Sequence, residues 1–329
     1  MAESKICVTT YIYGEKYQDY ISLLIYSIHK AYPKYYIILF LHGVLRKDID
    51  DQLKHCDLYH NLEIKQNVFA DCPKMSSLKA ASFRWVLWDN IFLNFDYLYI
   101  VDIDMFYIRE PIDLHIQHIL HMKTTELPFD NMRRKLLKHA SVKMFIISFL
   151  RRIKHTGGGK IINYILSYNK TEYCLSGLHF INIKKYYSRF TSERRKFYTE
   201  LIYSGDYLKY IMSPNDEVFL HRINQDLGFD LSKIAIQTNE TVSLDFNNPE
   251  RAEFRPHHGI HFSLFRRADN NFLREYEKNI LNSEPYKYYV RIFKNEIKND
   301  PNFIQLYQTF NCNLKLYFER FYQYYSISE

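Results

Sequence analysis
The sequence predicts an α/β protein with a mostly parallel, right-handed central sheet. Between residues 5 and 104, hydrophobic runs of strand length alternate with helically periodic stretches in the order β-α-β-α-β-α-β. The last run, Tyr97 to Val101, is aromatic or β-branched apart from Leu98, as a strand covered on both faces requires. It delivers Asp102 and Asp104 at its far end, and a period of two places both carboxylates on one side of the chain. Open α/β sheets bind ligands outside the carboxyl ends of their strands, at a switch in strand order. Acidic residues are also common in turns, but two like charges this close are costly unless a cation or a donor neutralises them. The pair is therefore a candidate site for a hard cation.

In chain order, Lys5 to Tyr11 reads as the first strand and Tyr13 to Lys16 as the loop leaving it. Asp19 to Ala31 carries Tyr20, Leu23, Leu24, Ser27 and Ile28 at helical spacing, with Pro33 as the stop. Tyr35 to Leu41 is a second buried strand, Asp48 to His55 a short polar helix, and Leu62 to Phe69 an alternating third strand. Ser76 or Ser77 caps a helix that runs through Lys79, Arg84 and Trp88 towards Phe92, directly before the acidic strand. The chain contains neither a GxGxxG turn nor a Walker lysine loop, so these residues support neither a dinucleotide site nor a P-loop.

The 329 residues suffice for one elaborated α/β domain with a smaller appendage. A net charge of +7 is modest for a nucleic-acid binder and suits a phosphate-bearing substrate or an anionic membrane surface. Five cysteines, Cys7, Cys56, Cys72, Cys174 and Cys312, lack CxxC spacing, so neither a zinc site nor a disulfide framework is indicated and a reducing compartment is expected. No signal pattern and no bilayer-length apolar run is present, which predicts a cytoplasmic protein, soluble or peripheral to the inner membrane surface.

An apolar strand ending in Asp-x-Asp, after about a hundred residues of sheet without a glycine-rich phosphate loop, resembles the GT-A class of nucleotide-sugar glycosyltransferases. Val8-Thr9-Thr10-Tyr11 leading to Tyr26-Ser27-Ile28 and Tyr32-Pro33 is similar to the opening of glycosyltransferase family 8, which includes glycogenin and bacterial lipooligosaccharide galactosyltransferases. Arg84 matches that family's donor-contacting arginine. Leu175-Ser176-Gly177 through Asn182 is similar to its NxG…IN segment, and His261 with Arg267 to its late histidine segment. The sequence departs from the pattern at Leu175, where Asn is usual, at Asn215-Asp216-Glu217 for Asp-Gln-Asp, at Leu264 for Gly, and at Ala268-Asp269 for Pro-Trp.

The resemblance implies a GT-A catalytic domain over residues 1–268 and a helical C-terminal appendage over 269–329. It implies transfer of a sugar, with retention, from a UDP-linked donor to a hydroxyl of a cell-surface glycan such as capsule or lipooligosaccharide. Asp102, Asp104 and His261 would hold Mn²⁺ or Mg²⁺, a donor set that suits either ion. Thr9, Thr10, Tyr11, Arg84, Asp102, Ser176, Gly177 and Arg267 would bind the nucleotide sugar. Of the neighbouring histidines His257, His258 and His261, a period of two puts His257 and His261 on one face if Gly259 does not bulge the strand, and His261 is preferred to His257 for its spacing to Arg267.

Asp216 and Glu217 follow a Ser-Pro turn and open an apolar helix. They serve either as helix N-terminal acids or as the catalytic pair beneath the donor sugar, and the residues leave both readings open. Residues 131–160 carry nine basic and no acidic side chains interleaved with apolar ones up to Gly157-Gly158-Gly159. That pattern predicts a basic amphipathic insertion, a helix pair that contacts a membrane surface or a lipid-linked acceptor, or one that is solvated on one face and packed on the other. Tyr286 to Ile297 and Ile304 to Tyr325 read as aromatic helices. Phe318, Phe321, Tyr322 and Tyr325 pack such helices onto the domain or serve an oligomer or membrane contact. The rival classes are a haloacid-dehalogenase-like phosphatase with Asp102 as nucleophile, and a non-catalytic basic membrane adaptor.

Overall fold
A computed structural model of the chain describes residues 4–136, 172–209, 211, 215–237, 258–266, 278 and 281–327. The Gly157–Gly159 stretch, most of the basic insertion, His257, Arg267 and the boundary at 268/269 lie outside the described residues.

Strands β1 (Ile6–Ile12), β2 (Tyr36–Leu41), β3 (Leu62–Lys65), β4 (Tyr97–Ile100), β6 (Phe129–Asp130) and β9 (His179–Asn182) form a six-stranded sheet in the order β3-β2-β1-β4-β9-β6. The β1–β2, β2–β3 and β1–β4 pairs are parallel, and β9 runs antiparallel to β4 and β6. Strand order therefore reverses between β1 and β4. Alternation sorts the side chains into two cores. Val8, Ile37, Leu39 and Tyr99 face one layer, while Cys7, Ile38, Phe40 and Leu98 face the other.

The first layer is closed by α2 (Ile21–Ala31), α3 (Lys47–His55) and three C-terminal helices, α9 (Glu284–Ile292), α10 (Pro301–Thr309) and α11 (Cys312–Tyr324). Phe318 and Phe321 are fully buried there, with Phe318 4.2 Å from Phe262 between ring centroids, and Tyr322 is nearly so. These aromatics thus pack the C-terminal helices onto the same core as the sheet. The second layer is closed by α4 (Ser77–Phe83), α6 (Ile183–Tyr187), α7 (Ser192–Ser204) and α8 (Asp216–Asp226).

Several expected boundaries move for local reasons. A short helix, α1 (Glu15–Gln18), occupies the predicted loop after β1, where Gly14 turns the chain at φ 87°. Strand β3 stops at Lys65 because Asn67 and Phe69 adopt left-handed φ values of 58° and 55°. The predicted Ser76-to-Phe92 helix is capped by Ser76, which accepts from Lys79 N at 3.2 Å. It ends in a 3-10 turn at Arg84–Val86, where Leu87 becomes extended. Residues Arg133–Leu136, expected in a basic helix, form strand β7, held between β8 (Glu172–Leu175) and β10 (Ile236–Gln237). The last aromatic helix is two helices, because Phe310 is extended and Asn311 caps α11 by accepting from Leu314 N at 2.9 Å. No described helix is long and apolar enough to cross a membrane.

Candidate active site
The acidic pair does not lie on a strand. Strand β4 ends at Ile100, and Val101 N donates to Thr9 O at 2.9 Å as the last tie to β1. Asp102 and Asp104 then sit in a turn before β5 (Met105–Tyr107), so strand alternation does not set their directions as expected. They nevertheless line one cavity of about 270 Å³ at the carboxyl ends of β1 and β4, where the strand order reverses.

Strand β5 brings the late histidine to this turn. It pairs antiparallel with β11 (Gly259–His261), in the register His261 to Met105 and Gly259 to Tyr107, and Phe262 N donates to Asp104 O at 3.0 Å. Gly259 does not bulge. A Cβ there would overlap the carbonyl oxygen of Phe106 and lie 2.8 Å from its carbon, so only glycine lets the strands approach this closely. The result is His261 Nε2 at 3.1 Å from Asp104 Oδ1, both largely but not wholly buried, with Tyr286 Oη accepting from His261 N at 3.2 Å. His258, three residues earlier, points elsewhere and pairs with buried Glu110 at 3.1 Å.

Asp102, expected beside Asp104 on a metal, lines the same cavity and accepts from Arg84 Nη1. Arg84 also donates through Nη2 to Asp216 Oδ2 at 2.7 Å, so one guanidinium bridges two carboxylates from β4's end and α8's start. Burial disfavours the charge of Arg84, but Asp216 and Asp102 outweigh it and push its pKa up beyond the usual arginine value. The arginine therefore stays cationic. Its guanidinium also lies 4.2 Å from the Trp85 ring centroid. Among the described residues, no three His, Cys, Asp or Glu side chains converge on one point. The oxygen of Asp104 and the nitrogen of His261 would be two protein donors to a hard cation, a donor chemistry that fits Mn²⁺ or Mg²⁺.

The remaining predicted residues divide between the cavity and its surroundings. Thr10 and Tyr11 line it, and Tyr11 Oη donates to Val68 O at 2.8 Å. Thr9 does not line it, because its hydroxyl points into the sheet and donates to Ile38 O at 2.8 Å. Gly177 stands behind the Asp102–Arg84 pair. A Cβ on it would lie 2.9 Å from Asp102 Oδ2 and 3.1 Å from Arg84 Nη2. Ser176 is buried, and its Oγ accepts from Leu178 N at 3.2 Å.

Asn215 caps α8 by accepting from Glu217 N at 2.8 Å. Asp216 is held by Arg84, and Glu217 pairs with Arg134 of β7. Burial pushes the Glu217 carboxyl up, against the pull of Arg134. Sequence reasoning missed the aromatic wall of Tyr13 and Tyr17 and the small-residue floor of Ser77, Ala80 and Ala81. The floor had a signal. Positions 77, 80, 81 and 84 fall on one helical face, three small side chains ending in an arginine.

These features define an α/β protein with an acidic turn, a histidine and a bridged arginine in a crevice at the strand-order switch. The chain is similar in structure to solved glycosyltransferases at low identity. Core-mannan synthase A from Aspergillus fumigatus, in its Mn/GDP form, matches at TM-score 0.40 and 8% identity, over 67% of this chain and 70% of that one. The mannosyltransferase Ktr4p from S. cerevisiae in complex with GDP matches at TM-score 0.39 and 9% identity, over 71% and 69%. The galactosyltransferase LgtC in complex with donor and acceptor sugar analogs matches at TM-score 0.34 and 16% identity, over 66% of this chain and 70% of that one. No family model matches the sequence, and no curated protein does.

Proposed function
We propose that the chain is a metal-dependent GT-A glycosyltransferase that moves a sugar from a UDP-linked donor to a hydroxyl of a cell-surface glycan such as capsule or lipooligosaccharide, with retention. The observation that carries this reading is the meeting of Asp104 and His261, 157 residues apart, in the cavity that Asp102 and Arg84 also line, with Arg84 reaching on to Asp216.

Asp104 and His261 are the residues that would hold the divalent ion, and the ion's chemistry there is that of a Lewis acid for the charge developing on a departing nucleoside diphosphate. Arg84 supplies a fixed cation behind Asp102, in place before the donor arrives. Asp216, anchored by the same guanidinium, would stabilise a cationic sugar centre or orient the acceptor hydroxyl. Glu217, whose carboxyl burial pushes up against the pull of Arg134, is the candidate proton acceptor. Tyr11, Tyr13 and Tyr17 supply flat apolar surface on the wall reached from β1, suited to a nucleobase.

The test is a thermal-shift panel of UDP, GDP and CMP with and without Mn²⁺, because a ligand that binds only the folded state raises its stability. A Mn²⁺-dependent shift with one nucleotide, abolished in Asp104→Ala and in His261→Ala, is the expected result. No shift with any nucleotide, or a shift indifferent to both substitutions, would overturn the reading in favour of the phosphatase or the adaptor.

A further inference from the structure
Beside the Gly177 turn is a second space of about 20 Å³, distinct from the donor cavity, whose lining includes Asn131, Ser176 and Leu178. Asn131 is 5% exposed and lies just after the edge strand β6. Its amide grips the turn on both sides of Gly177. Oδ1 accepts from Ser176 N at 2.6 Å, while Nδ2 donates to Ser176 O at 3.2 Å and to Leu178 O at 2.9 Å and faces His179 Nδ1 at 3.0 Å. These partners fix the orientation of the amide. With its oxygen and nitrogen exchanged, an oxygen would face two carbonyls and an N–H would face an N–H.

Asn131 is itself anchored through its neighbour. Asp130 accepts from His118 Nδ1 and His121 Nδ1, each at 2.5 Å, which ties β6 to helix α5 (Leu114–Thr125). On its other face the gripped turn lies beside the site, since a methyl group on Gly177 would come within 2.9 Å of Asp102 Oδ2 and 3.1 Å of Arg84 Nη2. A displacement of the turn towards that pair would therefore crowd it.

We propose that Asn131 is a positioning residue for the reaction: it holds the Ser176–Leu178 turn at a fixed distance behind Asp102 and Arg84, and so sets the placement of the donor's transferred end. This rests on the glycosyltransferase reading above. Asn131 is not among the residues lining the donor cavity, so its loss should spare the grip on the nucleotide and impair turnover.

The experiment compares Asn131→Ala with wild type for Mn²⁺-dependent affinity towards UDP and GDP and for turnover of UDP-glucose, UDP-galactose and GDP-mannose. Leu306→Ala, in the C-terminal core, serves as a control for general destabilisation. The expected result is a fall in kcat of at least about tenfold with the nucleotide Kd within about threefold. Leu306→Ala should leave kcat within about threefold at a comparable loss of Tm. Because Asn131 acts through the turn, its effect should not multiply with that of Gly177→Ala. Asn131→Ser, which keeps a hydroxyl able to donate to one carbonyl, should recover part of the loss and carries the same comparison should the alanine variant not fold. A kcat within threefold of wild type, a loss that tracks Tm as in Leu306→Ala, or full multiplication with Gly177→Ala would overturn the proposal. If wild type shows no Mn²⁺-dependent nucleotide binding, the functional reading fails and takes this proposal with it. An active wild type with unaffected Asn131 variants defeats the positioning role alone.

Discussion

Replacing Arg84 by methionine keeps the aliphatic stem and removes the guanidinium that joins Asp102 to Asp216. Hydrogen bonds to charged groups contribute about 1.5–3 kcal/mol each. Both carboxylates keep some solvent contact, so they rehydrate in part once unpaired, which favours the lower end of that range and gives about 3 kcal/mol for the two. The stacking of the guanidinium on Trp85 adds about 0.5 kcal/mol. The expected loss is thus about 3–4 kcal/mol. With an unfolding entropy of roughly 2.1 cal/mol/K per residue over 329 residues, or about 0.7 kcal/mol/K, the midpoint should fall by about 4–6 °C.

The same variant leaves two like charges facing each other, which makes an added cation more effective. Millimolar Mn²⁺ should therefore restore more of the lost midpoint in Arg84→Met than it adds to wild type. The assay is thermal unfolding with and without Mn²⁺, followed by denaturant titration to obtain the free energy. A loss under about 1 kcal/mol with no differential response to Mn²⁺ would refute the bridge as the organiser of this site.

Other perturbations act at separate points. Gly259→Ala forces a methyl into the Phe106 peptide and should cost about 3 kcal/mol or more by prising β11 from β5, read as a fall in Tm together with loss of the Mn²⁺-dependent nucleotide shift. Phe318→Ala should cost about 3–5 kcal/mol in denaturant titration, since the ring is wholly buried among Phe262, Phe310 and Phe303. Burial first, and the neighbouring His60 second, lower the pKa of His29 from 6.5 to about 4. The unfolded chain therefore takes up this proton near pH 6.5 and the folded chain only near pH 4, so stability from this group is full above pH 6.5 and drains as the pH falls towards 4. His29→Phe should flatten that decline by about 2 kcal/mol in denaturant midpoints measured between pH 7 and 4, while an unchanged slope would count against a neutral buried His29.

Much of the fold was legible because β1, β2 and β4 are covered on both faces and so must be apolar at nearly every position, which leaves a run that few other structures share. Boundaries were less legible where burial outlasts regular structure. Val101 is as buried as the strand before it, so nothing in its side chain marks the end of β4 at Ile100. The basic stretch from Arg133 misled because its strand partners, Tyr173 and Cys174 on one side and Ile236 on the other, are distant in sequence, and isolated short runs do not separate helix from strand. In the site, Asp102 and Asp104 came from their place at the end of the last apolar run, and Arg84 and His261 from the family resemblance. The Arg84–Asp216 bridge and the Asn131 amide did not, because each joins segments whose proximity only the completed sheet creates.

The pairing of β5 with β11 also has a consequence in time. Asp104 and His261 are 157 residues apart, so a ribosome adding about 5–20 residues per second needs roughly 8–30 s after making one before it makes the other. During that interval the nascent chain carries the acidic turn without the imidazole that faces it. The meeting of these two side chains is thereby a late event of biogenesis, and a chain cut short before Gly259 would retain most of the sheet yet lack the imidazole that faces Asp104.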